Sequence, residues 1–153
     1  GRLCNALQHT LDGKELYGVT FDVYELVLAI RYICVRGDNK TLLVQEGGLP
    51  LLLRVISDNA SAAKKLGEGS ESTNQVGAPD GHAVAPPLPV TVDARSPFIA
   101  AHLLLDLADE ARVAQSLAEL SGPAKTLELE SLLALPSVSA EDAETMRRLA
   151  AKL

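Results

Sequence analysis

Nineteen consecutive residues, Asp38-Asn-Lys-Thr-Leu-Leu-Val-Gln-Glu-Gly-Gly-Leu-Pro-Leu-Leu-Leu-Arg-Val-Ile56, constrain the fold more than any other stretch. The pattern predicts a short helix capped by Asp38, with Leu42, Leu43 and Val44 on its buried side. Gly47-Gly48 breaks that helix. Pro50 then falls in the first turn of the next one, where its missing N–H costs nothing because first-turn donors have no intrahelical acceptor. Leu51, Leu52, Val55 and Ile56 carry the apolar face onward at helical spacing. Paired helices hinged on glycine form a packing unit, not a catalytic one, and point to a chain that holds other molecules.

The rest of the chain extends the helical pattern. Residues 2–11 read as a helix stopped by Asp12-Gly13. Asp22, with Glu25 three residues on, reads as the cap of a helix over 23–35, closed by Gly37. Ser96-Pro97 restarts order with a cap and a first-turn proline. The following helix is apolar nearly all round, from Phe98 through Leu103, Leu104, Leu105 and Leu107, so it belongs between neighbours and not on a surface. Further helices are predicted over 110–120 and from Pro123 to about Ala134. A last one, capped by Ser139 with Asp142, turns Ala143, Met146, Leu149, Ala150 and Leu153 inward. Glu144 and Arg148 are expected to pair outside it.

Between these blocks, 58–95 holds four of the eight prolines and four of the eleven glycines. Such a segment lacks the apolar surface to repay its ordering entropy and reads as a flexible insertion. The expected division is therefore helices over 1–57, an insertion over 58–95, and helices over 96–153. Pro86-Pro-Leu-Pro89 within the insertion is a candidate docking motif, though a bare linker is the simpler reading.

Composition narrows the function class. Hydrophobic residues make up 47% of the chain but aromatics only 3%, so the core is Leu, Ala, Val and Ile, which suits close-packed helices. Five aromatic side chains are too few for a nucleic-acid stacking platform. The net charge of −6 repels phosphate backbones and anionic membranes, and Lys64-Lys65 and Arg147-Arg148 are the only short basic clusters. No apolar run reaches the ~18 residues that a membrane span requires. Cys4 and Cys34 lack C-x-x-C spacing and fit a reducing, cytoplasmic setting, with the nucleus as the alternative. The opening Gly1 suggests a piece of a longer protein.

Catalytic signatures are sparse. There is no G-x-S-x-G elbow, neither cysteine is expected at a helix N-terminus, and Gly67-Glu-Gly69 has no following Lys to hold a phosphate. His102 and Asp106 stand one helical turn apart and face the same way. Zinc would need a third protein ligand, which no nearby His or Cys offers, so a hydrogen-bonded pair on a binding surface is the simpler reading. His9 and His82 show no ligand spacing. Arg31 and Tyr32 offer either a partner anchor or core packing with the phenol at the surface. No enzyme activity, cofactor or metal is implied.

Two passages share one order of parts, Asp22 to Ile56 and Pro97 to Leu133. In detail, Ala29-Ile-Arg-Tyr-Ile-Cys34 leads to Asp38-Asn-Lys and then Val44-Gln-Glu-Gly-Gly-Leu-Pro-Leu-Leu-Leu53. A fainter echo runs from Ala100 to Ala108, then Asp109-Glu-Ala-Arg112 and Ser121-Gly-Pro. These residues resemble the armadillo repeat family over roughly 20–57 and 97–135. Gly48 and Gly122 stand 74 residues apart. One unit of ~40–47 residues plus an insertion of about 30 accounts for that distance.

The resemblance implies an all-α, right-handed armadillo-like α-solenoid whose third helices line a groove for a protein or peptide partner. In nuclear-import members a Trp and an Asn on that helix grip basic peptides. The matching positions here are Leu28 and Tyr32 in one repeat and His102 and Asp106 in the other. Neither repeat keeps the Trp or the Asn, so nuclear-signal binding is not implied, and these four stand as candidates for a more general groove. Two repeats seldom stand alone, so further repeats or self-association are expected. The competing expectation is a helical oligomerisation or adaptor module that recruits its partner through the Pro-rich insertion.

Overall fold

The computed structural model describes residues 1–69, 93, 95–109, 113–115 and 125–152. Seven helices of eight or more residues lie among them: α1 (Arg2–Leu11), α2 (Val23–Ile33), α3 (Gly37–Gln45), α4 (Gly48–Gly69), α5 (Ser96–Ala108), α6 (Lys125–Leu133) and α7 (Ala140–Lys152). No strand occurs among the described residues. An isolated bridge between Leu16 and Val19 closes the α1–α2 loop through a turn in which Tyr17 (φ 55°) and Gly18 (φ 74°) are both left-handed.

Local chemistry accounts for most helix boundaries. The Asp22 carboxylate accepts from the backbone N–H of Tyr24 (2.7 Å) and Glu25 (3.3 Å), satisfying two first-turn donors of α2. The Ser139 hydroxyl caps α7 by accepting from the Asp142 N–H at 3.1 Å. Between α3 and α4, Gly47 takes φ 72°, and a Cβ on Gly48 would stand 2.8 Å from the Leu43 carbonyl oxygen. Only glycines allow α4 to start so close to α3.

Several expected boundaries are corrected. Gly37 does not close α2, which ends at Ile33; it opens α3, whose N-cap is Arg36, so Asp38 lies inside the first turn. There Asp38 complements the helix dipole instead of capping. The N-cap of α5 is not Ser96 but Arg95, and the Asp93 carboxylate ahead of it accepts from the N–H groups of Arg95 and Ser96 and from the Ser96 hydroxyl. Glu144 pairs with Arg147 at 3.7 Å, not with Arg148.

The largest difference concerns α4. It continues past residue 57 to Gly69, with Ala60 and Ala63 buried, so the expected flexible insertion does not begin at 58. Alanine, lysine and leucine between Asn59 and Leu66 are strong helix formers, and averaging them with the Pro-rich stretch beyond conceals that preference. Residues 70–92, including Pro86–Pro89 and His82, lie outside the described residues, as does most of the helix expected over 110–120.

The helices pack as a ladder. α1, α4 and α6 touch in sequence along one row, and α2, α5 and α7 along the other. Each helix of the first row also packs on its partner in the second, α1 on α2, α4 on α5 and α6 on α7, while α3 leans on α4. A single apolar cluster fills the space between the rows, from Leu7 and Val27 through Leu52 and Leu104 to Met146 and Leu149. Arg54 ties the rungs of the first row, donating to the Asp12 carboxylate at 2.6 Å and to the Leu11 carbonyl at 2.9 Å.

Helix α5 is the middle rung, flanked by α2, α4 and α7. As its all-round apolar sequence predicts, it is buried on every side but one. Ile99, His102 and Asp106 are its only residues not fully buried, and they form a stripe at helical spacing on the outer face.

Candidate partner-binding face

The outer face of the α2–α5–α7 row carries two adjoining cavities that meet at His102. The first, of about 280 Å³, is lined by Tyr24 and Arg31 of α2, by Arg95, Phe98, Ile99 and His102 around the start of α5, and by Ser137 and Asp142. Its geometry begins with a cap. Asp22 fixes the first turn of α2 and thereby the position of Tyr24. The Arg95 guanidinium stacks over the Tyr24 ring, 4.0 Å from its centroid, so its charge is held by an aromatic face. Arg31 stands seven residues after Tyr24, two turns along the same side of α2.

The second cavity, of about 260 Å³, lies in the α5–α7 seam. Its walls are His102, Leu105 and Asp106 from α5 with its C-cap Asp109, and Glu141, Glu144, Thr145, Arg148 and Lys152 from α7. Four carboxylates against two cations give it a negative balance. Lys152 bridges the seam to Asp109 at 3.2 Å.

His102 joins the two. Its Nε2 lies 3.3 Å from the Thr145 hydroxyl and 3.5 Å from the Asp142 carboxylate. The Thr145 hydroxyl also lies 3.0 Å from the Glu141 carbonyl, one turn back on α7. His102 thus ties α5 to α7 across their seam. Its expected partner one turn along, Asp106, lines the same cavity but makes no bond with it among the described residues.

Of the four groove candidates, the structure brings His102 and Asp106 together in the second cavity. Leu28 is half-buried on α2 and Tyr32 is 71% exposed, and neither lines either cavity. Core packing for Tyr32 is thus excluded. Arg31, weighed beside it in the sequence, does line the first cavity. Tyr24 and Arg95 were missed. The cap motif at Asp22 marked the position of Tyr24 without its role, and Arg95 fell in the stretch read as insertion.

The thiols sit elsewhere. Cys4 is in the first turn of α1, against expectation, yet burial pushes its thiol up, and the same cause raises Cys34. Both are free and buried. Among the described residues no group of three or more His, Cys, Asp or Glu side chains could share a metal ion, and no helix is long and apolar enough to cross a membrane. No protein-family description, no curated protein and no solved structure matches this chain.

Proposed function

We propose that the chain is a non-catalytic protein-binding scaffold of the armadillo-like solenoid type, holding a partner segment across the outer face of α2, α5 and α7. The observation that carries this reading is the two-row ladder with its middle rung open along Ile99, His102 and Asp106 alone, over two joined cavities. Stacked helices hold those side chains in place beforehand, so most of the ordering cost of binding falls on the partner segment. The buried, protonated thiols favour a reducing cytoplasmic or nuclear setting. Exposed Tyr17, Ile33 and Leu42 near α1 fit a second part of the reading, in which further repeats or self-association cover that end. Sedimentation across a range of concentrations tests the self-association.

The binding face itself is tested by selecting random dodecapeptides displayed on phage against the chain. Ile99→Arg, on the open stripe, should abolish binding of the selected peptides, while Lys65→Glu on the exposed side of α4 should not. Deleting 70–92 should also leave binding intact, in contrast to recruitment through Pro86–Pro89. Peptides indifferent to Ile99→Arg would remove the proposal.

A further inference from the structure

The two cavities carry opposite charge, and that polarity specifies the segment they fit. Arg31 and Arg95 both line the first cavity. Among the described residues neither has an ion-pair partner, in a chain whose net charge is −6. The one carboxylate there, Asp142, faces His102 at 3.5 Å. Two unpaired guanidinium groups beside the apolar Phe98 and Ile99 form a site for an acidic side chain, and the stacking of Arg95 on Tyr24 reduces the entropy lost on binding it. In the second cavity Asp106 and Glu141 are likewise without ion-pair partners among the described residues, and the negative balance favours a base.

The spacing follows from helix geometry. Counting α5 with its two caps, the first cavity's residues from Arg95 to His102 centre between Phe98 and Ile99, and the second's from His102 to Asp109 between Leu105 and Asp106, seven residues further on. At ~1.5 Å per residue that is ~10 Å along the helix. Moving from the α2–α5 seam to the α5–α7 seam adds one interhelical step of ~9 Å, giving ~14 Å in all. An extended peptide rising ~3.3 Å per residue covers this in about four residues.

Resting on the scaffold reading, we propose that the face recognises an extended partner segment of two charges. An Asp or Glu enters the arginine cavity, and a Lys or Arg about four residues away enters the carboxylate cavity. Electrostatic complementarity of this kind sets direction and register as well as affinity.

The test selects phage-displayed random dodecapeptides against three proteins: the chain itself, Arg31→Glu/Arg95→Glu and Asp106→Lys/Glu144→Lys. The unaltered chain should enrich peptides with an acid and a base about four positions apart. The first variant should replace the acid by a base and the second the base by an acid. Synthetic peptides with one charge reversed should bind the unaltered chain about tenfold or more weakly. If either reversal variant fails to fold by circular dichroism, Arg31→Gln/Arg95→Gln or Asp106→Asn/Glu144→Gln replaces it, and the corresponding charge preference should vanish. Enriched peptides that need Ile99 but show no charge preference would overturn the polarity and leave the scaffold standing. No enrichment at all would overturn both.

Discussion

Leu104 offers the sharpest test of the ladder, because it is fully buried on the rung that three other helices surround. Leu104→Ala removes three carbons, a loss of ~2.5 kcal/mol at ~0.8 per buried methylene-sized group. The cavity left among α2, α4 and α7 adds up to ~1.5 kcal/mol where the walls cannot collapse, so the total is about 3–4 kcal/mol. For a domain of this length such a change lowers the melting midpoint by on the order of 10 °C. Ile99→Ala on the same helix removes a half-exposed side chain and should cost only ~1 kcal/mol. Leu104→Asp goes further, since burying an unpaired carboxylate costs several kcal/mol, and should unfold the α5–α7 half. Urea titrations followed by circular dichroism at 222 nm measure each difference. Equal midpoints for the Leu104→Ala and Ile99→Ala variants would mean that α5 is not enclosed, and the ladder would be wrong.

Three further outcomes rest on local geometry. Gly48→Ala should destabilise by ~1–2 kcal/mol despite the better helix propensity of alanine, because its Cβ meets the Leu43 carbonyl oxygen and the Leu43 Cγ at 2.6 Å; a rise in the urea midpoint would refute the close approach. Asp93→Ala should cost ~1 kcal/mol by leaving the Arg95 and Ser96 N–H groups at the start of α5 without their acceptor, whereas Ser96→Ala leaves both groups their carboxylate and should cost less; the reverse ranking in thermal melts would refute this role for Asp93. The Arg54 guanidinium holds the Asp12 carboxyl below its usual value, so this contact stabilises the fold above the unfolded carboxylate range near ~3.9 and is lost as pH falls through the lowered folded value. The stability gap between the unaltered chain and Asp12→Asn should therefore close below pH ~4 and shrink with added salt, since the pair is exposed; a gap that persists in acid would assign it to something other than charge.

What could be read from the residues was what local chemistry decides. Asp22, Gly47, Pro50 and Ser139 act within four residues of themselves, and each marks a boundary where its side chain or backbone predicts one. The enclosure of α5 was equally visible, because a helix without a polar face has nowhere to go but inside. Asp38 and Gly37 misled because an acidic residue near a helix start serves either as cap or as dipole partner, and spacing alone does not separate the two. The extension of α4 was hidden by composition averaged over a stretch that changes character midway. The candidate face was the least legible part. Tyr24 and Arg95 are 71 residues apart, and His102 and Asp142 are 40 apart. Both contacts exist only once the rungs stack, so nothing in the neighbourhood of either residue announces them.

The walling-in of α5 has an evolutionary corollary. Mutations at its ten enclosed positions are screened first for folding, which leaves Ile99, His102 and Asp106 as the helix's free alphabet. On the scaffold reading proposed above, a change of partner would be written there, in three letters a helical turn apart, while the enclosed positions tolerate only exchanges of one aliphatic side chain for another of similar volume.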